Sequence, residues 1–319
     1  MKWYPVELHT HTEHSDGDFT PTQLVQAAKA RGFAGVALTD HNTKSGTTEF
    51  NAAIEKSGLT GVHGIEWTTY WGHMLVLGEY TYTDWRGVTP DMIDEAIKRI
   101  HDHCGLVGIA HPFALSNPVN TGYHWEFQIA DWQAVDFLEV WSRDNAPCKV
   151  QSLRAIELWE QLLNRGCHIT ATSGRDWHRE DTRSYAHTYV GIEDELNEQN
   201  ILQAIRDSRI CLAAGPLLTM QAETAQGPIY PGQQTEAGNV TLKLCMDDQT
   251  MPHDWDRTAI IPEKIVLVQN GEVIETLPVC AEQTVTVRTQ KGWLRADLIG
   301  RYFGREEQRI ALTNPIWTA

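Results

Sequence analysis

Up to about Gly215 the chain repeats one pattern: a short apolar or β-branched run, a polar turn, then a stretch with helical period. After Gly215-Pro216 the helical stretches stop. Such alternation calls for an α/β fold with a largely parallel sheet, because parallel neighbours must be joined by a crossover and not by a tight turn. The runs that read as strands are Tyr4 to Leu8, Gly35 to Thr39, Gly61 to Ile65, His73 to Leu77, Leu106 to Ala110, Ala134 to Val140, His168 to Thr172 and His187 to Gly191. Thr20-Pro21 gives an N-cap and a first-turn proline before QLVQAAKARG, and Thr89-Pro90 repeats the device before DMIDEAIKRIHDHCG. Two further helices are predicted over Val150 to Arg165, ended by Gly166, and over Glu198 to Ser208.

Beyond residue 215 the runs NVTLKLCM, KIVLVQNGEVIETL and TVTVRTQKGWLRADLIG alternate as strands, and Asn270-Gly271 is a type I′ hairpin signal. The expected organisation is a domain over residues 1–215 and a small antiparallel, β-sandwich-like domain over 216–319. There is no internal repeat. With 26 Lys+Arg against 42 Asp+Glu the formal charge is 26 − 42 = −16, which argues against a groove for long nucleic acid, since that affinity comes from cations neutralising phosphates. The start MKWYPVELHTHTEH lacks an apolar core followed by a cleavage site, no apolar run is long enough to span a bilayer, and the six cysteines are scattered singly. These features predict a reduced, cytoplasmic protein without a membrane partner.

Residues able to carry chemistry fall at the ends of the expected strands, most of them at or just after the finish of one and His73 at the start of another. They are His9, His11 and Asp16 in HTHTEHSDG, Asp40 and His41 in LTDHN, Glu66 in GIE, His73 in GHMLVLG, His111 in AHP, Glu139 in LEVWS, and Asp176 and His178 in GRDWH. In a closed parallel barrel the C-terminal strand ends converge on one mouth. Imidazole mixed with carboxylate suits Zn²⁺, Mn²⁺ or Fe, and the lack of cysteine at these ends argues against a closed structural zinc site. On an extended strand His9 and His11, at i and i+2, face the same way and can share one ion. A carboxylate such as Glu66 can bridge two.

This motif series resembles the polymerase and histidinol phosphatase (PHP) superfamily of metal-dependent hydrolases over residues 5 to 215. The ELHTHTEHSDG opening, LEVWS and the tail ending ALTNPIW look most like its CehA/McbA-like branch. That branch is named after a carbamate hydrolase, while many relatives are phosphoesterases. The resemblance implies a distorted, TIM-like (β/α)7 barrel, with one of the eight runs belonging to an insertion, and two or three divalent ions (Zn, Mn or Fe). It implies His9, His11, Glu66 and Asp176 around one ion, Glu66 bridging to a second with His73 and His111, and Asp16, His41 and His178 around a third. All nine positions hold a competent ligand, which favours an active hydrolase over a decayed regulatory domain.

Around these ligands the roles stay open. Asp40 is read as an acid that orients a ligating imidazole or coordinates directly, and Glu139 is given the same orienting role. Arg175 stands where relatives commonly have a small residue; it faces an anionic group or makes a structural ion pair. Arg143 and Asn145 are loop candidates for substrate contact, against a solvated loop with a helix N-cap. His14 is a proton donor at the mouth or an exposed loop imidazole. His101 and His103 end a helix and complement its dipole, while His63, His124, His168, His187 and His253 have no motif support. Trp67, Trp71, Trp141 and Trp177 wall the pocket or simply pack.

The leading expectation is hydrolysis of a small, anionic phosphorylated metabolite by a hydroxide held between metals. The alternatives are a carbamate, amide or carboxyl ester hydrolase of the CehA type using the same centre, and a non-catalytic metal-stabilised binding module. Two or more arginines or lysines converging on the ligands favour phosphate; a tryptophan-lined apolar mouth favours a neutral substrate. The oligomeric state is open, a homo-oligomer included.

Overall fold

All eight expected runs form strands, and their ends meet where the chemistry-bearing residues lie. The structure is a computed structural model and describes residues 1–115, 122–249 and 256–319; His253 lies outside the described residues. The first nine strands are β1 Lys2–Glu7, β2 Gly35–Leu38, β3 Thr60–Thr69, β4 Gly72–Leu77, β5 Leu106–Ile109, β6 Phe137–Ser142, β7 Thr170–Gly174, β8 His187–Ile192 and β9 Ile210–Ala213. From β1 to β7 they lie side by side in chain order. β1, β2 and β3 run parallel, as do β5, β6 and β7. At the mouth the ends of β1 and β7 pair with each other: His11 N donates to Trp177 O at 2.9 Å and Trp177 N to His9 O at 3.0 Å.

The expectation of a largely parallel sheet needs correcting at β4, which is antiparallel to both β3 and β5. The reason is local. β3 runs on to Thr69 and only Tyr70 and Trp71 separate it from β4, too short a link for a parallel return. Gly72 holds φ at +150°, and a Cβ there would stand 2.5 Å from the Trp125 ring. The hairpin pairs Thr68 with His73 and so carries His73 back toward Glu66.

Five helices cover the described residues: α1 Pro21–Ala30, α2 Thr47–Ser57, α3 Ile93–Asp102, α4 Val150–Asn164 and α5 Glu198–Arg206. Thr20 and Gln23 form a full capping box on α1. α2 carries no readable start, because Gly46 supplies no capping side chain. None of these helices is long and apolar enough to cross a membrane.

After β9 come β10 Leu217–Thr224, β11 Gly227–Ile229, β12 Gln234–Thr235, β13 Asn239–Asp247, β14 Ile260–Gln269, β15 Glu272–Pro278, β16 Glu282–Arg288, β17 Gly292–Tyr302, β18 Arg305–Thr313 and β19 Ile316–Thr318. The Asn270-Gly271 hairpin joins β14 to β15 as expected. β18 hydrogen-bonds to β9, with Ala311 opposite Ala213 and Leu312 opposite Leu212, so the β-rich half continues the sheet of the first half. β11, β10, β13 and β16 make a second sheet. One apolar cluster runs unbroken from Val6 to Trp317, and a smaller one lies under α1 and α2 around Phe33, Phe50 and Trp177.

Asn314 ties the two halves together from a fully buried position. Its side chain accepts from Ala171 N at 2.8 Å and donates to Ala171 O and Ile210 O at 3.0 and 3.2 Å. Asn314→Ala strips the partner from the Ala171 amide, and an unpaired buried polar group costs about 1–3 kcal/mol. Urea unfolding should show a loss of that size; a change below about 0.5 kcal/mol, the level of an ordinary surface substitution, would contradict this role.

Candidate metal centre

Glu66 reaches the mouth because β3 lies beside β2, where Glu66 N donates to Thr39 O at 3.0 Å. Its carboxylate is fully buried and meets five imidazoles. Oε2 lies 3.2 Å from His9 Nε2, 3.2 Å from His11 Nε2 and 3.0 Å from His41 Nδ1. Oε1 lies 2.8 Å from His73 Nδ1 and 3.0 Å from His111 Nε2. Asp176 presents Oδ1 to His11 Nε2 at 3.2 Å, His178 Nδ1 at 3.4 Å and His9 Nε2 at 3.5 Å. Farther out, the half-exposed Asp16 places Oδ1 3.2 Å from His178 Nε2 and 3.5 Å from His41 Nε2. The backbone is strained here: His111, Arg143 and Asp176 hold φ at 30°, 61° and 51°, a left-handed conformation that costs a non-glycine residue on the order of 1 kcal/mol or more.

The structure thus brings all nine expected ligand positions together. Among the described residues three groups can each hold an ion with donor atoms within 4.8 Å of one another: His9, His11, Glu66 and Asp176; His41, Glu66 and His73; and His11, Asp16, His41 and His178. The partition differs from the expected one in that His41 also joins Glu66 and His73, and His11 also joins Asp16. His111 stands just outside these groups, against Glu66.

The donor set fits divalent cations. His9 Nε2, both ring nitrogens of His11, Glu66 Oε2, His73 Nε2, His111 Nδ1 and Asp176 Oδ1 are buried without a hydrogen-bond partner, although they crowd against one another. Several buried, unsatisfied donors and acceptors in one place are costly unless something else compensates them. A cation does so for imidazole nitrogen and carboxylate oxygen alike.

Electrostatics point the same way. Burial opposes ionisation of Glu66, but His9, His41 and His73 outweigh it and hold the carboxyl well below its usual range. Burial likewise opposes charge on Asp176 and is overcome by His9, His11 and Arg143. For His11, burial works against the proton while Asp176 and Glu66 favour it, and the imidazole is pushed up to about 9; His9 moves up by the same balance. At His41 burial wins and pulls the ring down to about 4. Beneath the centre, burial pushes the Glu7 carboxyl up to about 7 in spite of Arg175.

The residues around the ligands sort by what they touch. Glu139 accepts from His111 N at 2.8 Å and lies 3.1 Å from His9 Nδ1, placed to turn His9 Nε2 toward the centre. Gly174 makes room for this contact, because a Cβ there would fall 1.9 Å from Glu139 Oε1. Asp40 touches no imidazole; it accepts from Thr12 N and Oγ1, both at 2.7 Å, and from Ser15 Oγ at 2.8 Å, pinning the loop that carries Asp16. His14 turns to Ser45 Oγ at 2.7 Å. Asn145 donates to Asp144. Arg175 is buried, with its guanidinium 3.7 Å from the Tyr185 ring, 4.4 Å from the Trp177 ring and 3.9 Å from Asp181. Trp67 and Trp141 are packed into the core.

Arg143 has the most direct role of the loop candidates. Its Nε and Nη2 donate to Asp176 Oδ2 at 2.8 and 2.6 Å. It also lines two cavities. One, of about 390 Å³ beside Asp176 and His178, is walled by Arg143, Arg175, Arg179 and Arg183 with Tyr123, Tyr185, Trp177 and Asp181, so that its arginines outnumber its aspartates, although Asp181 pairs with Arg183 at 3.0 Å. The other, of about 220 Å³ against His111 and Glu139, is lined in part by Phe113, Leu115, Val140 and Lys149. Tyr123 was not signalled by the sequence: it lies in no ligand motif, and only tertiary structure brings it over His111.

A strongly curled α/β sheet with a histidine and carboxylate centre at its strand ends is an architecture able to bind metal, and it has known relatives. Residues 7–108 match the PHP domain. The chain belongs to the PHP-domain family. Over 77 residues it is 39% identical to the 3′,5′-nucleoside bisphosphate phosphatase of Chromobacterium violaceum, covering 23% of this chain and 27% of that protein. The match thus spans about a quarter of that relative. An uncharacterized protein of Methanocaldococcus jannaschii is 30% identical over 121 residues, 34% of this chain and 68% of that one. The fold is shared, at 16% identity and a TM-score of 0.57, with a two-domain protein from Bacteroides vulgatus described as containing a predicted PHP-like metal-dependent phosphoesterase; the match covers 98% of this chain and 95% of that one.

A pH prediction follows for the metal-stripped protein. The folded His11 binds its proton up to about 9 while the unfolded one releases it near 6.5, so its contribution is fully present below about pH 6.5 and is lost as pH rises through about 9. The melting temperature of EDTA-treated protein should therefore fall between pH 7 and 9.5, because the folded state holds more protons there. A temperature that stays level or rises across that window would contradict the assignment.

Proposed function

We propose that this protein is a metal-dependent phosphoesterase acting on a small phosphorylated metabolite. The observation that carries the reading is the cationic cavity beside Asp176 and His178, with Arg143 bonded to Asp176 at its inner end. When bound, two or three divalent ions supply Lewis acidity, acidifying a water and neutralising charge on phosphoryl oxygens. Glu66 gathers the imidazoles, Glu139 fixes the orientation of His9, and Asp40 holds the loop that brings Asp16 to the outer group. Arg143 spends two of its five N–H donors on Asp176, and its side chain is 40% exposed on the cavity wall, where it meets an anionic group.

A carbamate or amide substrate calls for an apolar mouth. Arginines dominate the cavity beside Asp176, where Trp177 on the wall lies under the Arg175 guanidinium; Trp67 and Trp141 are in the core, and the smaller cavity against His111 sets Arg143 and Lys149 beside its apolar Phe113, Leu115 and Val140. The ring from β1 to β7 is read as a distorted (β/α)7 barrel, and the chain as one of the CehA/McbA-like branch that works on phosphate. The bisphosphate phosphatase of C. violaceum supports phosphate chemistry. The acidic surface, at −16 overall, is consistent with a small substrate entering a locally positive mouth.

The test is a turnover panel with added Mn²⁺ or Zn²⁺, covering p-nitrophenyl phosphate, sugar phosphates and nucleotides beside carbamates and amides. Phosphate esters should be hydrolysed, EDTA should abolish the activity, and Arg143→Gln should weaken phosphate binding by about 10–100-fold, as expected for a hydrogen bond to a charged group. Turnover confined to carbamates or amides would overturn the reading.

A further inference from the structure

Tyr123 is held over the ligand cluster more firmly than its hydroxyl is held by any acceptor. Its ring stacks on His111 with centroids 4.9 Å apart and planes 16° from parallel, and lies 5.2 Å from His73. The Arg143 guanidinium sits 4.6 Å from the ring centroid. Both residues line the cationic cavity. The hydroxyl stands 3.5 Å from Asp176 Oδ2, the outer limit of a hydrogen bond. That oxygen already accepts two short bonds from Arg143. The phenol is therefore fixed in place by its ring, while its O–H is a weakly engaged donor at the edge of the site.

We propose that Tyr123 is a substrate-contacting residue whose hydroxyl donates to a non-bridging phosphoryl oxygen beside Arg143. The pair forms a two-donor clamp for a tetrahedral oxyanion. A phenol is a donor at neutral pH, and no proton is transferred in this role. Turning the O–H from Asp176 to a ligand gives up only a long contact, and the stacked ring keeps the donor from swinging away. The inference rests on the phosphoesterase reading and assigns that site a second donor.

The test compares full-length, metal-reconstituted wild type with Tyr123→Phe, which keeps the ring and removes the hydroxyl. Three quantities are read: metal content, affinity for inorganic phosphate by calorimetry, and kcat/KM for p-nitrophenyl phosphate. Tyr123→Phe should keep its metal, bind phosphate about tenfold more weakly and lose about 10–100-fold in kcat/KM. Tyr123→Leu should lose more, because the ring that packs against Arg143 goes as well. Wild-type values in Tyr123→Phe would overturn the proposal by reducing Tyr123 to a packing role. Loss of metal in Tyr123→Phe would also overturn it, by making the hydroxyl part of the metal centre. A wild type that neither binds phosphate nor hydrolyses any phosphate ester overturns the phosphoesterase reading and this proposal with it; an active wild type matched by Tyr123→Phe overturns the proposal alone.

Discussion

A fully buried carboxylate surrounded by five imidazoles is the constraint on which the rest of the structure depends. Glu66 Oε1 has hydrogen-bond partners in His73 and His111, but Oε2 meets three ring nitrogens at 3.0–3.2 Å without hydrogen-bond geometry to any of them. Burying one such group uncompensated is expensive, and several more lie within a few ångströms. The arrangement is stable only if something holds net positive charge at its middle. Protons can do so in part, which is why His9 and His11 hold theirs so strongly against burial. Divalent ions can do so as well, because imidazole nitrogen and carboxylate oxygen are both ordinary ligands for them, and three groups of these donors are drawn close enough to share an ion.

The sheet serves that constraint. Parallel β1, β2 and β3 bring His9, His11, His41 and Glu66 to one side, and the hydrogen bonds between the ends of β1 and β7 close the distance to Asp176. The antiparallel β4 is the irregular part, and it is irregular to good effect: a hairpin without a crossover returns His73 directly onto Glu66. The left-handed backbone at His111 and Asp176 is further strain spent on aiming ligands. The β-rich half is not remote from this work. Through β9, β18 and Asn314 it hydrogen-bonds to the strands that carry the site, although none of its described residues joins the ligand groups.

Much of this was legible in the sequence, for identifiable reasons. Strand ends are punctuated by the ligands themselves, and the i and i+2 spacing of His9 and His11 survives folding because a strand keeps that period. α1 announced itself through Thr20, Pro21 and Gln23, whereas α2 is preceded by Gly46 and offered no such mark. The direction of β4 was hidden because Tyr70 and Trp71 are not turn-forming residues; the clue was Gly72, whose necessity appears only once Trp125 is beside it. Asp40 shows the limit of motif reading: a carboxylate next to a ligand histidine suggests an orienting partner, yet its acceptors are filled by Thr12 and Ser15. Tyr123 and the arginines of the cavity converge only through tertiary contacts, so spacing along the chain could not single them out.

The central claim is that divalent metal, and not a network of protonated histidines, balances the charge around Glu66. Anomalous diffraction from crystals of the protein as purified, read together with elemental analysis, tests it most directly. The account predicts at least two metal equivalents per chain, with anomalous peaks about 2.0–2.2 Å from Glu66 oxygens and from His9 and His11 nitrogens. A folded protein that stays free of metal in the presence of excess Zn²⁺ and Mn²⁺, with Glu66 bonded only to protonated imidazoles, would contradict it.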